Sequence, residues 1–150
     1  MDTIVLVGTD GSELSVHAAA TAAALFPGAP LVVATVVEPT DPTLVTGTGF
    51  AGGVMSPETM TEIAAEQRRV GEELVASTIR AAGLDGAQIR LLEGDAGHAL
   101  CMLAADLPAS VLVVGTHGRG AVARALLGSV STYVVRHAPC PVLVTRGPGS

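Results

Sequence analysis

Val111-Leu112-Val113-Val114-Gly115-Thr116-His117-Gly118-Arg119-Gly120 changes character at its midpoint. The first four residues are an unbroken branched-aliphatic run, the pattern of a strand covered on both faces. The next six hold three glycines, which let a backbone turn sharply and come close to a ligand. After residues 121–127 comes Gly128-Ser129-Val130-Ser131, where a helix is predicted to start and to stop near His137, before Pro139. A helix start offers N–H groups without intrahelical acceptors and a partial positive charge. Ser129 and Ser131 add hydroxyl donors, and Arg119, Arg124 and His117 add positive charge. Strand, glycine loop and helix start, in that order, describe a site that could hold a polyphosphate.

The same grammar recurs upstream. Ile4-Val5-Leu6-Val7 is an aliphatic run ending at Gly8, followed by the turn cluster Thr9-Asp10-Gly11-Ser12. A helix is predicted over 13–25, with Val16, Ala19, Ala20 and Ala23 on one face and Pro27-Gly28 ending it. Residues 31–37 read as a second strand. Ser56-Pro57-Glu58 is a strong helix start: a capping serine, proline at the first helical position and an acid in the first turn. Met60, Ile63, Ala64, Val70, Leu74, Val75, Thr78 and Ile79 recur at spacings of three and four, which predicts a long amphipathic helix stopped by Gly83. A strand over 88–92, a helix over 97–106 capped by Asp95, and a strand over 141–145 complete the chain. Strands alternating with helices throughout predict a parallel sheet with helices on both faces. Such sheets bind ligands outside the strand carboxyl ends, where the connection direction reverses. Residues 40–55 are Gly- and Thr-rich without a period and read as a long surface loop.

Composition excludes several chemistries. The chain has 150 residues, which suits one domain, and 49% of them are hydrophobic. Its net charge is −6, and only Phe26, Phe50 and Tyr133 are aromatic. Nucleic-acid surfaces need basic patches and stacking platforms, so this is a poor one. All eight basic residues are arginine. Without lysine, neither the P-loop phosphate contact nor a Schiff base is open to it. No run reaches the ~20 apolar residues of a membrane helix, no secretory signal leads the chain, and a cytoplasmic protein is expected.

Three further patterns carry less. Gly47-Thr48-Gly49-Phe50-Ala51-Gly52 spells G-x-G-x-x-G but lacks a strand before it, and its helix starts later, at Ser56-Pro57. His98 with Cys101 and His137 with Cys140 spell a two-His, two-Cys set. The histidines fall at opposite ends of helices expected to run the same way, about 10–15 Å apart along the axis, so no metal site is expected. No Gly-x-Ser-x-Gly elbow exists, so no hydrolase nucleophile is expected.

The spacing Gly115-x2-Gly118-x9-Gly128-Ser129 resembles the nucleotide-binding signature of the universal stress protein family. Residues 4–12, 111–120, 126–131 and 138–144 resemble the family's other hallmarks in the same order, over nearly the whole chain. One departure is Gly8, where many relatives carry proline; glycine permits the same backbone path. The resemblance implies a three-layer, Rossmann-like α/β fold of the adenine nucleotide alpha hydrolase-like kind. It has a five-stranded parallel sheet in order 3-2-1-4-5, with two helices on each face. It implies ATP as ligand, or AMP or cyclic AMP, with Mg2+ carried in on the nucleotide. Carried over by position, Gly8, Thr9 and Asp10 would meet ribose or phosphates, and Val36 would face adenine. Val114, Gly115, His117, Gly118, Arg119, Gly128, Ser129, Val130 and Ser131 would wrap the rest. The family's regulatory role is expected rather than catalysis beyond slow ATP hydrolysis; a nucleotide-free scaffold is the other reading. A homodimer through the last strand is implied as well.

Overall fold

The computed structural model describes residues 2–37, 56–117 and 127–147. The loop expected over 40–55, the glycine pattern inside it, and Gly118, Arg119 and Arg124 lie outside the described residues. Five strands form one sheet: β1 (Val5–Gly8), β2 (Leu31–Val37), β3 (Gln88–Glu93), β4 (Val111–Gly115) and β5 (Val142–Thr145). Their order is β3-β2-β1-β4-β5, and every neighbouring pair is parallel. The expected order and direction are therefore correct.

Four helices cover the sheet: α1 (Glu13–Leu25), α2 (Pro57–Ala82), α3 (Ala96–Asp106) and α4 (Ser129–His137). Because side chains alternate along a strand, each strand feeds two cores. Val5, Val7, Val33, Val111 and Val113 pack with Ala18, Ala19 and Ala22 of α1 and Val75 of α2. Leu6, Val32, Ala34, Leu112 and Val114 pack on the other face with Leu100, Cys101 and Ala104 of α3 and Val134 of α4. Two helices on each face make the third layer complete.

The ends of the helices follow their local chemistry. Ser12, Ser56 and Asp95 each accept a hydrogen bond from the N–H three residues on, satisfying one orphan donor per helix. Gly83 ends α2 at φ 68°, a left-handed turn that glycine adopts without a Cβ clash. Two helical faces differ from expectation. In α1 the buried positions are Ser15, Ala18, Ala19 and Ala22; of the expected face through Val16, Ala19, Ala20 and Ala23, Ala19 is fully buried and Ala23 packs part-buried against the core. In α2 the buried positions are Gly71, Val75 and Thr78, while Val70 is half exposed. A side chain on Gly71 would sit 2.8 Å from Val37 Cγ2, so the helix meets the sheet there through bare backbone.

Candidate functional site

The connection after β1 carries the chain to one face of the sheet and the connection after β4 carries it to the other. These two strands are neighbours, so the chain leaves their carboxyl ends in opposite directions, the switch point at which open α/β sheets offer a crevice for ligands. Gly8, Thr9 and Asp10 stand on one side of it, and Gly115, Thr116 and His117 on the other. Backbone bonds hold both exits in register: Thr9 N–H to the Ala34 carbonyl at 2.9 Å and Thr116 N–H to the Thr145 carbonyl at 3.0 Å.

On the β4 side, one carbonyl closes the excursion between strand and helix. The Thr116 oxygen accepts from Gly128 N–H at 2.6 Å and from the Ser131 hydroxyl at 3.0 Å. The start of α4 is thereby seated against the end of β4. Ser131 is 2% exposed, and its hydroxyl also lies 3.1 Å from the Gly128 carbonyl. The expectation of a hydroxyl donor toward ligand is corrected at this residue: its one proton holds the loop closed. Ser129 is exposed, and Val130 packs toward the α3–α4 core. Gly128 at the N-cap brings no side-chain bond to the first turn, unlike Ser12, Ser56 and Asp95 in the other helices. Among the described residues no side chain caps the amides that open α4, the kind of helix start that suits an anion.

On the β1 side, Asp10 Oδ1 accepts from Ser12 N–H at 2.9 Å and from the Ser15 hydroxyl at 3.1 Å. This is the local turn that aspartate favours before a helix. Beneath it lies a run of buried hydroxyls not anticipated from the sequence. Thr9 Oγ1 donates to Ser15 Oγ at 2.9 Å and meets Thr78 Oγ1 of α2 at 2.9 Å. Thr9, Ser15 and Thr78 are all buried. The sequence marks Thr78 only as one more position on an apolar stripe; Thr9, the partner that ties it to the β1 turn, is 69 residues away.

Gly8, Val36 and Val114 share the sheet face that carries α3 and α4, the face on which the start of α4 lies. Val114 is 4% exposed and spends its side chain on the core, so only its backbone remains for a ligand. Val36 is half-buried near the end of β2. A side chain at Gly8 would meet Leu100 Cδ1, the far end of a flexible side chain, at 2.9 Å. Gly115 faces the opposite way, toward the Leu14 carbonyl of α1. His117 Nδ1 lies 3.1 Å from Thr116 Oγ1.

The remaining candidates sit elsewhere. Tyr133 of α4 stands between the two histidines of the His/Cys pattern. Its hydroxyl lies 3.4 Å from His98 Nδ1, and its ring stacks on that of His137 with centroids 4.2 Å apart. Among the described residues no three His, Cys, Asp or Glu side chains converge as a metal set. Burial pushes the Cys101 thiol up from its ordinary range, with Cys140 nearby adding to it, and burial does the same to Cys140. Cys101 is buried in the α3–α4 core, and Cys140 packs against it part-buried. No helix among the described residues is long and apolar enough to cross a membrane. A groove of about 640 Å³ between α2 and β3 is lined by charges of both signs, including Arg68, Arg90 and Glu72, and converges on no one group.

The comparisons with known proteins agree with this geometry. The sequence pattern of the universal stress protein family matches residues 1–146. The universal stress protein in the QAH/OAS sulfhydrylase 3′ region of Thermus aquaticus is 34% identical over 144 residues, covering 95% of this chain and 97% of its own. A universal stress protein solved in complex with cAMP is 30% identical, with a TM-score of 0.60 and 97% of each chain covered. The universal stress protein UspA of Lactobacillus plantarum shares the fold at 23% identity, with a TM-score of 0.71 over 96% of this chain and 97% of its own. With the family's pattern spanning nearly the whole length and a relative aligned almost end to end, the chain belongs to the universal stress protein family.

Proposed function

We propose that this protein binds an adenine nucleotide, ATP foremost, in the crevice between the carboxyl ends of β1 and β4, and acts as a cytoplasmic stress-response regulator. The observation that carries the reading is the bare start of α4. Among the described residues its first amides carry no side-chain cap, and the Gly128 N–H bond to Thr116 seats them beside the end of β4. Anions bind such ends through N–H groups and the helix dipole. The relative that holds cAMP supports an adenine nucleotide as the anion. In this reading the amides of Ser129, Val130 and Ser131 take phosphates, with Gly115, His117, Gly118 and Arg119 along the loop. Gly8, Thr9 and Asp10 line the ribose and phosphate side, and Val36 lies toward adenine. Mg2+ comes with the nucleotide and is held chiefly by its phosphates.

Regulation fits the site better than turnover. Hydrolysis of a γ-phosphate needs a residue that orients and deprotonates water. Asp10 is the carboxylate of the β1 turn, and its Oδ1 already accepts two hydrogen bonds that shape that turn. ATP hydrolysis is therefore expected to be slow at best. Heating freshly purified protein should release a nucleotide that chromatography and mass spectrometry identify as ATP, AMP or cyclic AMP. Calorimetric titration with each decides among them, and no binding of any at millimolar concentration would overturn the reading.

The proposed assembly is a homodimer through β5, an edge of the sheet. Pro141 and Thr145 direct their carbonyls to Leu112 and Thr116 of β4. By alternation, the backbone groups of Val142 and Val144 point away from the sheet, toward a partner strand. Their side chains pack against the α3–α4 core, so replacing them with charged residues would damage the fold. Val144→Pro is the cleaner probe: it removes one outward N–H and no bond to β4. Light scattering should give a dimer for the parent and a folded monomer for the variant. A monomeric parent at high concentration would remove the proposal.

A further inference from the structure

We propose that Thr78, on α2, is a positioning residue for the nucleotide site, acting through Thr9 and Ser15 on Asp10. The inference rests on the nucleotide reading above and extends the site to a helix that reading does not use. Four oxygens lie in sequence. Thr78 Oγ1 is 2.9 Å from Thr9 Oγ1, Thr9 Oγ1 is 2.9 Å from Ser15 Oγ, and Ser15 Oγ is 3.1 Å from Asp10 Oδ1. Thr78 is 1% exposed, Ser15 5% and Thr9 8%, so the run is shielded from bulk water.

Counting protons gives the run a direction. Each hydroxyl has one proton and two lone pairs. Thr9 gives its proton to Ser15. At the contact between Thr9 and Thr78 either hydroxyl could donate; with the Thr9 proton given to Ser15, the Thr78 proton is the one left for it, shared with the Leu74 carbonyl. Ser15 in turn has its proton for Asp10 Oδ1, or for the Ser12 carbonyl at 2.9 Å. Thr9 Oγ1 also accepts from Gly11 N–H at 3.1 Å, and Asp10 Oδ1 from Ser12 N–H at 2.9 Å. A donor on α2 thus fixes the Thr9 rotamer, and Thr9 fixes the turn that holds Asp10. Hydrogen bonds aligned head to tail polarise one another, so the run is stiffer than its separate links. The alternative acceptor for Thr78, the Leu74 carbonyl at 3.0 Å, lies in its own helix and does nothing for the site.

Two variants separate positioning from packing. Thr78→Val removes the donor and sets a methyl group about where the oxygen was, too close to Thr9 Oγ1 for an apolar contact. Thr78→Ser keeps the oxygen and loses a buried methyl. In the ligand-free protein, the Gly11 and Ser12 amides should exchange with solvent about tenfold faster in Thr78→Val and within twofold of the parent in Thr78→Ser. ATP affinity, measured by calorimetry, should fall about tenfold in the valine variant and within twofold in the serine variant. Melting temperature should fall in both, because both lose something from the interior. If Thr78→Val does not fold, Thr78→Ala carries the same comparison. Parent-like exchange and affinity in the variant without hydroxyl would overturn the proposal, and so would faster exchange with unchanged affinity. If the parent binds no nucleotide, the nucleotide reading and the site role of Thr78 fall together. The exchange measurement then reports only whether Thr78 orders the turn.

Discussion

Replacing Gly128 with glutamate is expected to lower ATP affinity by two to three orders of magnitude and to leave the fold intact. Gly128 has φ −77° and ψ 175°, extended backbone that any residue adopts, so the substitution brings no backbone strain. Its N–H bond to the Thr116 carbonyl belongs to the backbone and survives. What changes is charge. A carboxylate at the N-cap takes up the positive end of α4 for itself and stands where phosphate is proposed to lie. Two like charges about 4 Å apart near a protein surface oppose each other by about 4 kcal/mol, and each 1.4 kcal/mol is a factor of ten. Gly128→Ala is the control: it adds bulk without charge and should cost far less. Calorimetry with ATP checks both, and a circular dichroism melt within a few degrees of the parent checks the fold. Full affinity in the glutamate variant would move the anion site away from α4.

Much of this fold is legible because short signals agree with each other. Ser56-Pro57 and Gly83 bracket α2 to the residue, and the aliphatic runs end within one residue of the strand ends. The order of the strands is another matter. Nothing in the spacing of β1 and β4 says that they are neighbours; that came with the family resemblance, and the register confirms it. Helix faces were partly illegible for two different reasons. In α1, alanine nearly all round leaves no stripe to read, so the buried face is chosen by the sheet and not by the helix. In α2, counting apolar residues favours Val70, whereas the contact with β2 needs Gly71, the residue that contributes no side chain at all.

The candidate site divides along the same line. Gly8, Thr9, Asp10, Gly115, His117 and Gly128 to Ser131 could be gathered from strand ends, a helix start and the resemblance. Which atoms they offer could not. Ser131 looks like a donor in sequence, yet its hydroxyl is consumed by Thr116. Val114 looks like a lining residue, yet its side chain is core. Thr78 looks like core, yet its hydroxyl reaches the β1 turn. Hydrogen bonding of a hydroxyl depends on partners distant in the chain, and a one-dimensional pattern records the residue type without the partner.

Gly97→Val should be the most destabilising substitution among these, costing about 3 kcal/mol and lowering the melting temperature by roughly 6–12 °C. Gly97 is buried in the first turn of α3. A Cβ there would lie 2.7 Å from Tyr133 Cδ1 and 2.9 Å from both its Cβ and Cγ. Those last two atoms are the root of the side chain, and no rotation of the ring moves them away from α4. The ring itself is held at both ends, by His98 near its hydroxyl and by His137 stacked on its face. The helices must separate instead, and α4 carries Gly128 to Ser131 at its start, so ATP affinity should fall with stability. Gly8→Ala gives the contrast. Its new methyl would meet Leu100 Cδ1 at 2.9 Å, the free end of a flexible side chain, which can turn aside at small cost. A second site tests the cause. Tyr133→Ala is destabilising alone, but combined with Gly97→Val it should recover part of the loss, because the contacts at Cγ and Cδ1 vanish with the ring and only the one at the Cβ of residue 133 remains. Strict additivity in that double variant would mean that something other than the Tyr133 contact keeps residue 97 a glycine.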